Sequence, residues 1–371
     1  MMSKLHGIRE PLFHISKRDE CGFLKACLIR LAAIALALVV CAIVIYSLTG
    51  LNPVEVYRGI IDGAVGSNRR LWVTIRDALA LLCIAVAITP AFRMHFWNSG
   101  AEGQTLIGGL ATAAVMINLA DKVPNPVLLL LMLLAAVAAG LIWGLIPAIF
   151  KAQWNTNETL FTLMMNYIAS QLVAFCIVFW ENPAGSNSVG IINQASRAGW
   201  FPPLFGMNYG WNLAIELALT AIVYVYLKYS KHGYEIAYVG QSVNTARYAG
   251  ISVRRVIIRT MAISGAICGV AGFVLVGGAG HTISTGIADG RGFTAIVVAW
   301  LSKLNTFTMM FVSFLLTFME KGAIQIASQF NLSENASDII TGIILFFVLG
   351  CEFFINYKVE FRHSKKGGHR A

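Results

Sequence analysis

The chain has 371 residues, of which 57% are hydrophobic and only 12% charged, with a formal net charge of +10. Soluble domains carry about a quarter charged residues, so this composition excludes a water-covered globular surface and implies a lipid-facing one. The basic residues lie between and beyond apolar runs and form no stripe interleaved with aromatics, which argues against a nucleic-acid surface.

Residues 1–30 form a basic, polar segment, expected to be cytoplasmic. The apolar run after it has no small-residue cleavage site and reads as an uncleaved first span. A helix needs about 20 apolar residues to cross a bilayer. The candidates in chain order are Leu31–Leu48, Leu71–Phe92, Gln104–Leu119, Pro126–Phe150, Thr159–Trp180, Trp211–Leu227, Val256–Gly278, Gly292–Leu304, Phe307–Ile326 and Ser337–Tyr357. They predict an all-α, polytopic transmembrane bundle of about ten segments over residues 31–357, followed by a basic tail, 358–371. Gln104–Leu119 needs the preceding Phe96–Gly103 to reach across. Gly292–Leu304 rises only about 20 Å at 1.5 Å per residue, which predicts a half-helix or re-entrant piece. With the N-terminus inside, the inner segments hold 20 Lys and Arg residues and the outer ones 8. This bias places both termini and the loop 229–255 in the cytoplasm, and the loop 181–210 outside, where an external protein can dock.

The sequence carries no GxSxG or HExxH motif, its seven His residues never pair at ligand spacing, and its seven Cys residues form no CxxC. No catalytic or metal site is expected. Without a GxxxxGK[ST] loop the chain itself cannot cradle ATP, so ATP and Mg, if they drive the process, belong to a partner polypeptide.

The most informative polar stretch is Phe96-Trp-Asn-Ser-Gly-Ala-Glu-Gly-Gln104. Broken helix at membrane depth is tolerated where it is buried in protein or lines a wet path. Asn98, Glu102 and Gln104 therefore have two readings. They border a translocation path, or they form a satisfied helix start with Asn98 as cap and Glu102 beside the dipole. A second break, Gly277–Phe293, leads into the short segment, and paired breaks in two halves of a membrane protein point to a midplane path. Asn155 followed by Glu158 predicts a capping box at the start of the fifth span. Asp77, Glu216, Glu320 and Glu352 have no evident partner and read as interfacial or paired between helices. In the inner loop, Ser242 or Asn244 can cap a short helix that propagates through Ala246–Ala249, with Gly250 as an αL stop.

Four ordered signatures carry a resemblance. Phe96–Gly109 resembles "FNIGAEGQ…IG", Asn157–Ile168 resembles "NE…T.MLNYI", Gly240–Ile251 with Ser264–Gly272 is similar to "G.N..AARYAGI" and "SGALAGLAG", and Gly290–Ala299 is similar to "G.GF.GIAVA". These are motifs of the nucleoside-type permeases in the branched-chain amino acid and simple-sugar ABC permease family, and they span roughly residues 50–350. Ser99, Thr294 and the Leu301–Asn305 stretch depart from the family pattern. The resemblance implies a bacterial cell-membrane subunit that pairs with a second permease, leaning to a paralogue. Its other partners would be a cytoplasmic ABC ATPase and an extracytoplasmic solute-binding protein or lipoprotein. It implies that Asn244, Ala246, Arg247, Tyr248 and Gly250 form the helix coupled to the ATPase. The cargo implied is a nucleoside, with a simple sugar such as ribose as runner-up. A different class, an ion-driven secondary transporter, would need an intramembrane acid relay, for which Glu102 and Glu216 are the candidates.

Overall fold

The computed structural model describes residues 13–17, 23–204, 206–207, 209–331 and 357–361, with single positions at 339, 342, 343, 346 and 350. Its helices are α1 (Phe23–Thr49), α2 (Pro53–Val65), α3 (Asn68–Arg93), α4 (Ala101–Asn118), α5 (Asn125–Trp154), α6 (Glu158–Trp180), α7 (Gly210–Tyr229), α8 (Lys231–Gln241), α9 (Val243–Tyr248), α10 (Val253–Val274, continued by a π-helical turn, Leu275–Gly280), α11 (Arg291–Leu301) and α12 (Thr306–Phe330). Among the described residues the only strands are β1 (Phe13–Lys17) and β2 (Tyr357–Phe361), which pair antiparallel, so the all-α expectation holds outside the terminal segments.

Six of the described helices are long and apolar enough to cross a membrane: α3, α5, α6, α7, α10 with its π turn, and α12. The expected first span lies within α1, Gln104–Leu119 is part of the 18-residue α4, and Gly292–Leu304 is the 11-residue α11. The expected span Ser337–Tyr357 and Glu352 lie outside the described residues, isolated positions and β2's first residue aside.

Two compact units divide the chain. Residues 65–318 form the larger one, built around α3 and α10. Ser67 starts α3 by accepting the Arg70 amide at 3.2 Å, and the run from Asp77 to Phe92 is buried on every side. A helix buried all round has no polar stripe to show, which fits its unbroken apolar sequence. α10 packs between α4 and α5 through small residues. A Cβ on Gly269 would fall 2.2 Å from the Ala136 carbonyl oxygen, and one on Gly265 would fall 2.3 Å from that of Gly140. The sequence reason is a Gly-xxx-Gly pair on each helix, Gly140/Gly144 and Gly265/Gly269. Helices in lipid associate by such close backbone approach because apolar side chains gain nothing by leaving an apolar solvent.

The second unit comprises residues 1–64 and 319–371. Here α2, a helix with no counterpart among the expected spans, lies along the end of α12. Gly59 meets Ile326 and Gln329, and Gly322 meets Ile60. The Tyr57 hydroxyl donates to the Leu38 carbonyl, tying α2 back to α1.

Two helix ends differ from expectation. Asn155 does not cap the fifth span: it closes α5 in the left-handed region (φ 50°), and Asn157 caps α6 by accepting the Leu160 amide at 3.2 Å. Glu158 then bridges back to Lys151 at 2.8 Å. The tripeptide Asn155–Asn157 ends one helix and starts the next, and the second Asn sits where α6's first free amides lie.

Candidate functional site

The polar break after α3 is a braced connector. Asn98 is fully buried and Gln104 is 1% exposed. Their amides face each other, with Asn98 Nδ2 donating to Gln104 Oε1 at 3.4 Å and Gln104 Nε2 donating to Asn98 Oδ1 at 3.3 Å. Asn98 also donates to Ser264 Oγ on α10 at 3.2 Å and accepts the Gly100 amide at 3.0 Å. From the other side, Asn166 on α6 donates to the Ser99 carbonyl at 2.8 Å and accepts the Gly103 amide at 2.9 Å, while Thr162 Oγ1 accepts the Ser99 amide at 3.2 Å. Several groups of the irregular backbone, the amides of Ser99, Gly100 and Gly103 and the Ser99 carbonyl, thereby find partners within the protein, as a membrane interior demands. The N-cap of α4 is Gly100 rather than Asn98.

Glu102 does something the sequence alone did not disclose. It stands in the first turn of α4, yet its carboxylate accepts the amides of Gly290 at 3.0 Å and Gly292 at 2.7 Å, at the start of α11. The two breaks, 188 residues apart, meet at this one side chain. A carboxylate at a helix N-terminus satisfies free amides and faces the positive end of the dipole. Gly292 is required by the closeness of this contact, since a Cβ there would fall 2.3 Å from the Glu102 nitrogen. The other end of α11 is held by the same connector. Trp97 stacks on Trp300 at 5.2 Å and 23°, and Arg93 donates to the Leu304 carbonyl at 3.2 Å. Residues 93–102 therefore strap the half-helix at both ends.

Around the head of α11 lies a charged group. Asp77 pairs with Arg76 at 2.7 Å and with Arg291 at 3.7 Å, which supplies the partner the sequence could not name. Glu216 on α7 is 1% exposed, and neither of its oxygens has a hydrogen-bond partner among the described residues. Glu320 pairs with its neighbour Lys321 at 3.6 Å.

The predicted surface helix is present as α9, preceded by α8, which occupies the first part of the expected loop 229–255. Ser230 caps α8, accepting the Gly233 amide at 2.9 Å, and Ser242 caps α9, accepting the Thr245 amide at 3.3 Å. Gly250 ends the turn at φ +78°. Ala246 is fully buried and anchors α9, while Asn244, Arg247 and Gly250 are exposed and Tyr248 is 93% exposed. Beneath α9 opens a cavity of about 890 Å³ whose lining includes Lys151, Gln241, Arg247 and Arg254. In α8, which lies outside the spans, burial pushes the His232 imidazole below its usual range. Its Nδ1 meets the Tyr226 hydroxyl. Beyond the far end of α10 a second cavity, of about 750 Å³, is walled in part by Trp200 and His281, whose rings stack at 3.9 Å.

Among the described residues no group of three His, Cys, Asp or Glu side chains is placed to hold a metal ion. The layout is a helical membrane body with a half-helix held at a polar break and a capped helix displayed at one end. Residues 73–349 match the family model described as the branched-chain amino acid transport system permease component.

The chain belongs to that family.

It is accordingly a multi-pass membrane protein and a permease of the ABC importer class, and the match takes in both breaks and α9. Similar proteins include a guanosine ABC transporter permease of Bacillus subtilis, 31% identical over 92% of this chain and 97% of the relative. A glucose ABC transporter permease of Haloferax volcanii is 27% identical over 85% of each chain. A nucleoside ABC transporter permease of Lactococcus lactis is 26% identical over 86% of this permease and 90% of the relative.

Proposed function

We propose that this permease forms the translocation path of an ATP-driven importer for nucleosides. The observation that carries the cargo reading is the likeness to the guanosine permease, which runs over 92% of this chain and includes every candidate site. In this reading ATP and Mg act on a separate cytoplasmic ABC ATPase. An extracytoplasmic binding protein or lipoprotein delivers the solute to the outer face, and a second permease, a paralogue, completes the path. The pairing of β1 with β2 keeps the two terminal segments together, which supports an even number of crossings with both ends on one side of the membrane.

In this reading the coupling runs through α9. Tyr248, Arg247 and Asn244 contact the ATPase, and α9 moves with it because Ala246 is buried and Ser242 closes its first turn. Only the four residues 249–252 separate α9 from α10. α10 leads through the π turn to the segment entering Gly290, where Glu102 holds the head of α11. A displacement at α9 therefore reaches the joint between the two breaks through stiff pieces. Asn98 and Gln104 shape this joint from inside, and Glu102, which is partly exposed, borders the path.

The likeness to a glucose permease at 27% identity favours a simple sugar as the second reading. Uptake of labelled guanosine, uridine, glucose and ribose, in cells with and without the chain and with an ionophore present, decides between them. Nucleoside uptake that depends on this chain and survives the ionophore is expected. Sugar uptake alone would replace the cargo, and uptake abolished by the ionophore would point to an ion-coupled carrier instead.

A further inference from the structure

The outward faces of the long helices are not alike. Along α5 the exposed side chains through the middle are Leu130, Leu134, Ala138 and Ile142. Along α7 they are Ala214, Leu217, Ala218, Ala221, Ile222 and Val225. These faces suit lipid. On α6 the exposed surface is also apolar for most of its length, with Met164, Ile168, Leu172, Phe175 and Phe179, but it is interrupted by Tyr167, 72% exposed, and by Gln171, also exposed. Gln171 stands 13 residues after Glu158 and nine before Trp180, so at 1.5 Å per residue it lies about 20 Å and 14 Å from the two ends of the helix. That is well inside a hydrocarbon layer about 30 Å thick. A primary amide brings two donors and an acceptor, and lipid offers none of them a partner. Polar side chains at such depth face protein or water.

This interruption is also continuous with the joint already described. Tyr167 follows Asn166, the side chain that braces Ser99 and Gly103 on either side of Glu102. One face of α6 thus holds the polar break in place, and the next face presents an aromatic ring and an amide, neither hydrogen-bonded to another side chain among the described residues. A ring that can lie against a planar or sugar ring, four residues from an amide that can bond a hydroxyl or a heterocyclic nitrogen, suits a solute carrying both.

Resting on the transport reading above, we propose that Tyr167 and Gln171 line the wet translocation path and contact the passing solute, a ring compound with hydrogen-bonding substituents. They are specificity-determining residues that the connector's own polar residues do not reveal.

The test uses the complete transporter in cell membranes, with Q171C, Y167C and, on α5, L134C. Each is treated with a water-soluble, membrane-impermeant cationic methanethiosulfonate reagent, against the parent chain as blank because Cys176 shares the helix. The two α6 cysteines are expected to react and to be protected by guanosine, and L134C is expected to stay unlabelled. Failure of both α6 cysteines to react means that lipid or a sealed subunit contact covers the face, and overturns the proposal. So does reaction that no solute protects among those the parent transports. In parallel, Q171L should lower kcat/KM for uptake about tenfold, the loss of one neutral hydrogen bond, while Q171N stays near the parent. Unchanged uptake by Q171L also overturns it. If Q171L does not accumulate, the cysteine labelling decides. Uptake by the parent is measured first. Its failure would sink the transport reading, and the labelling pattern would still show whether the face is wet.

Discussion

The head of α11 and the surface of α9 solve opposite problems with the same device, a side-chain oxygen on free helix amides. At α11 the oxygen comes from Glu102, 188 residues away, and the side-chain amides of Asn98 and Asn166 bond the connector's backbone around it. At α9 the cap is local, Ser242, and the helix turns Tyr248 outward, 93% exposed. The first arrangement completes itself within the fold. The second is complete as a helix and unfinished as a contact. Stability and coupling are therefore expected to separate by position.

The largest effect tests the first half. Replacing Glu102 by Ala strips two charge-assisted bonds from α11 and should cost about 2–4 kcal/mol. This would be read as a lowered thermal midpoint of the purified complex, with E102Q losing about half as much because one acceptor oxygen remains. An E102A complex as stable as the parent would break the comparison. Next, Tyr248→Ala should leave the stability within about 0.5 kcal/mol of the parent, while uptake falls more than tenfold and the partner's ATPase activity persists. A loss of stability instead would mean that α9 is part of the core.

The smallest effect concerns the link between α7 and α8. Burial lowers the folded-state pKa of His232, so the unfolded chain binds the proton more readily. The contribution of this site is therefore fully present above the ordinary imidazole value of about 6.5 and is lost as pH falls below it. The protection of the amides of residues 230–236 against hydrogen exchange, corrected for the intrinsic exchange rate, should fall as pH drops below about 6.5, and H232Q should flatten that dependence. Equal dependence in parent and variant would assign the change elsewhere.

The long spans were legible because an unbroken apolar run at the right length admits few alternatives. The short α11 and the cap at Ser242 were legible too, one from its length and the other from local turn chemistry. α2 and α8 were not, since each is short and mixes Gly and charged residues among its apolar ones, as Gly59, Asp62, Gly233 and Glu235 show. Asn155 was misread as a cap because two Asn residues lie within one helix-to-helix turn, and only the backbone tells which of them is left-handed. The polar character of Glu102 was plain in the sequence, but its partners were not. Its bonds go to backbone amides of two glycines, and a backbone amide leaves no mark in a sequence. Arg93, Trp97 and Asn166 were passed over for a related reason: each acts across the fold, on a carbonyl, a ring or an irregular strand of chain.

The crossing of α5 and α10 has a mechanical consequence. Where Gly265 and Gly269 lie against Gly140 and Ala136, main chain rests on main chain with no layer of side chains between them. Side chains can change rotamer and let two helices slide, and a backbone seam has no such play. It behaves as a weld rather than a bearing. Any swing delivered to α10 must carry α5 along with it, and the sliding surfaces of the transport cycle must be sought elsewhere in this unit.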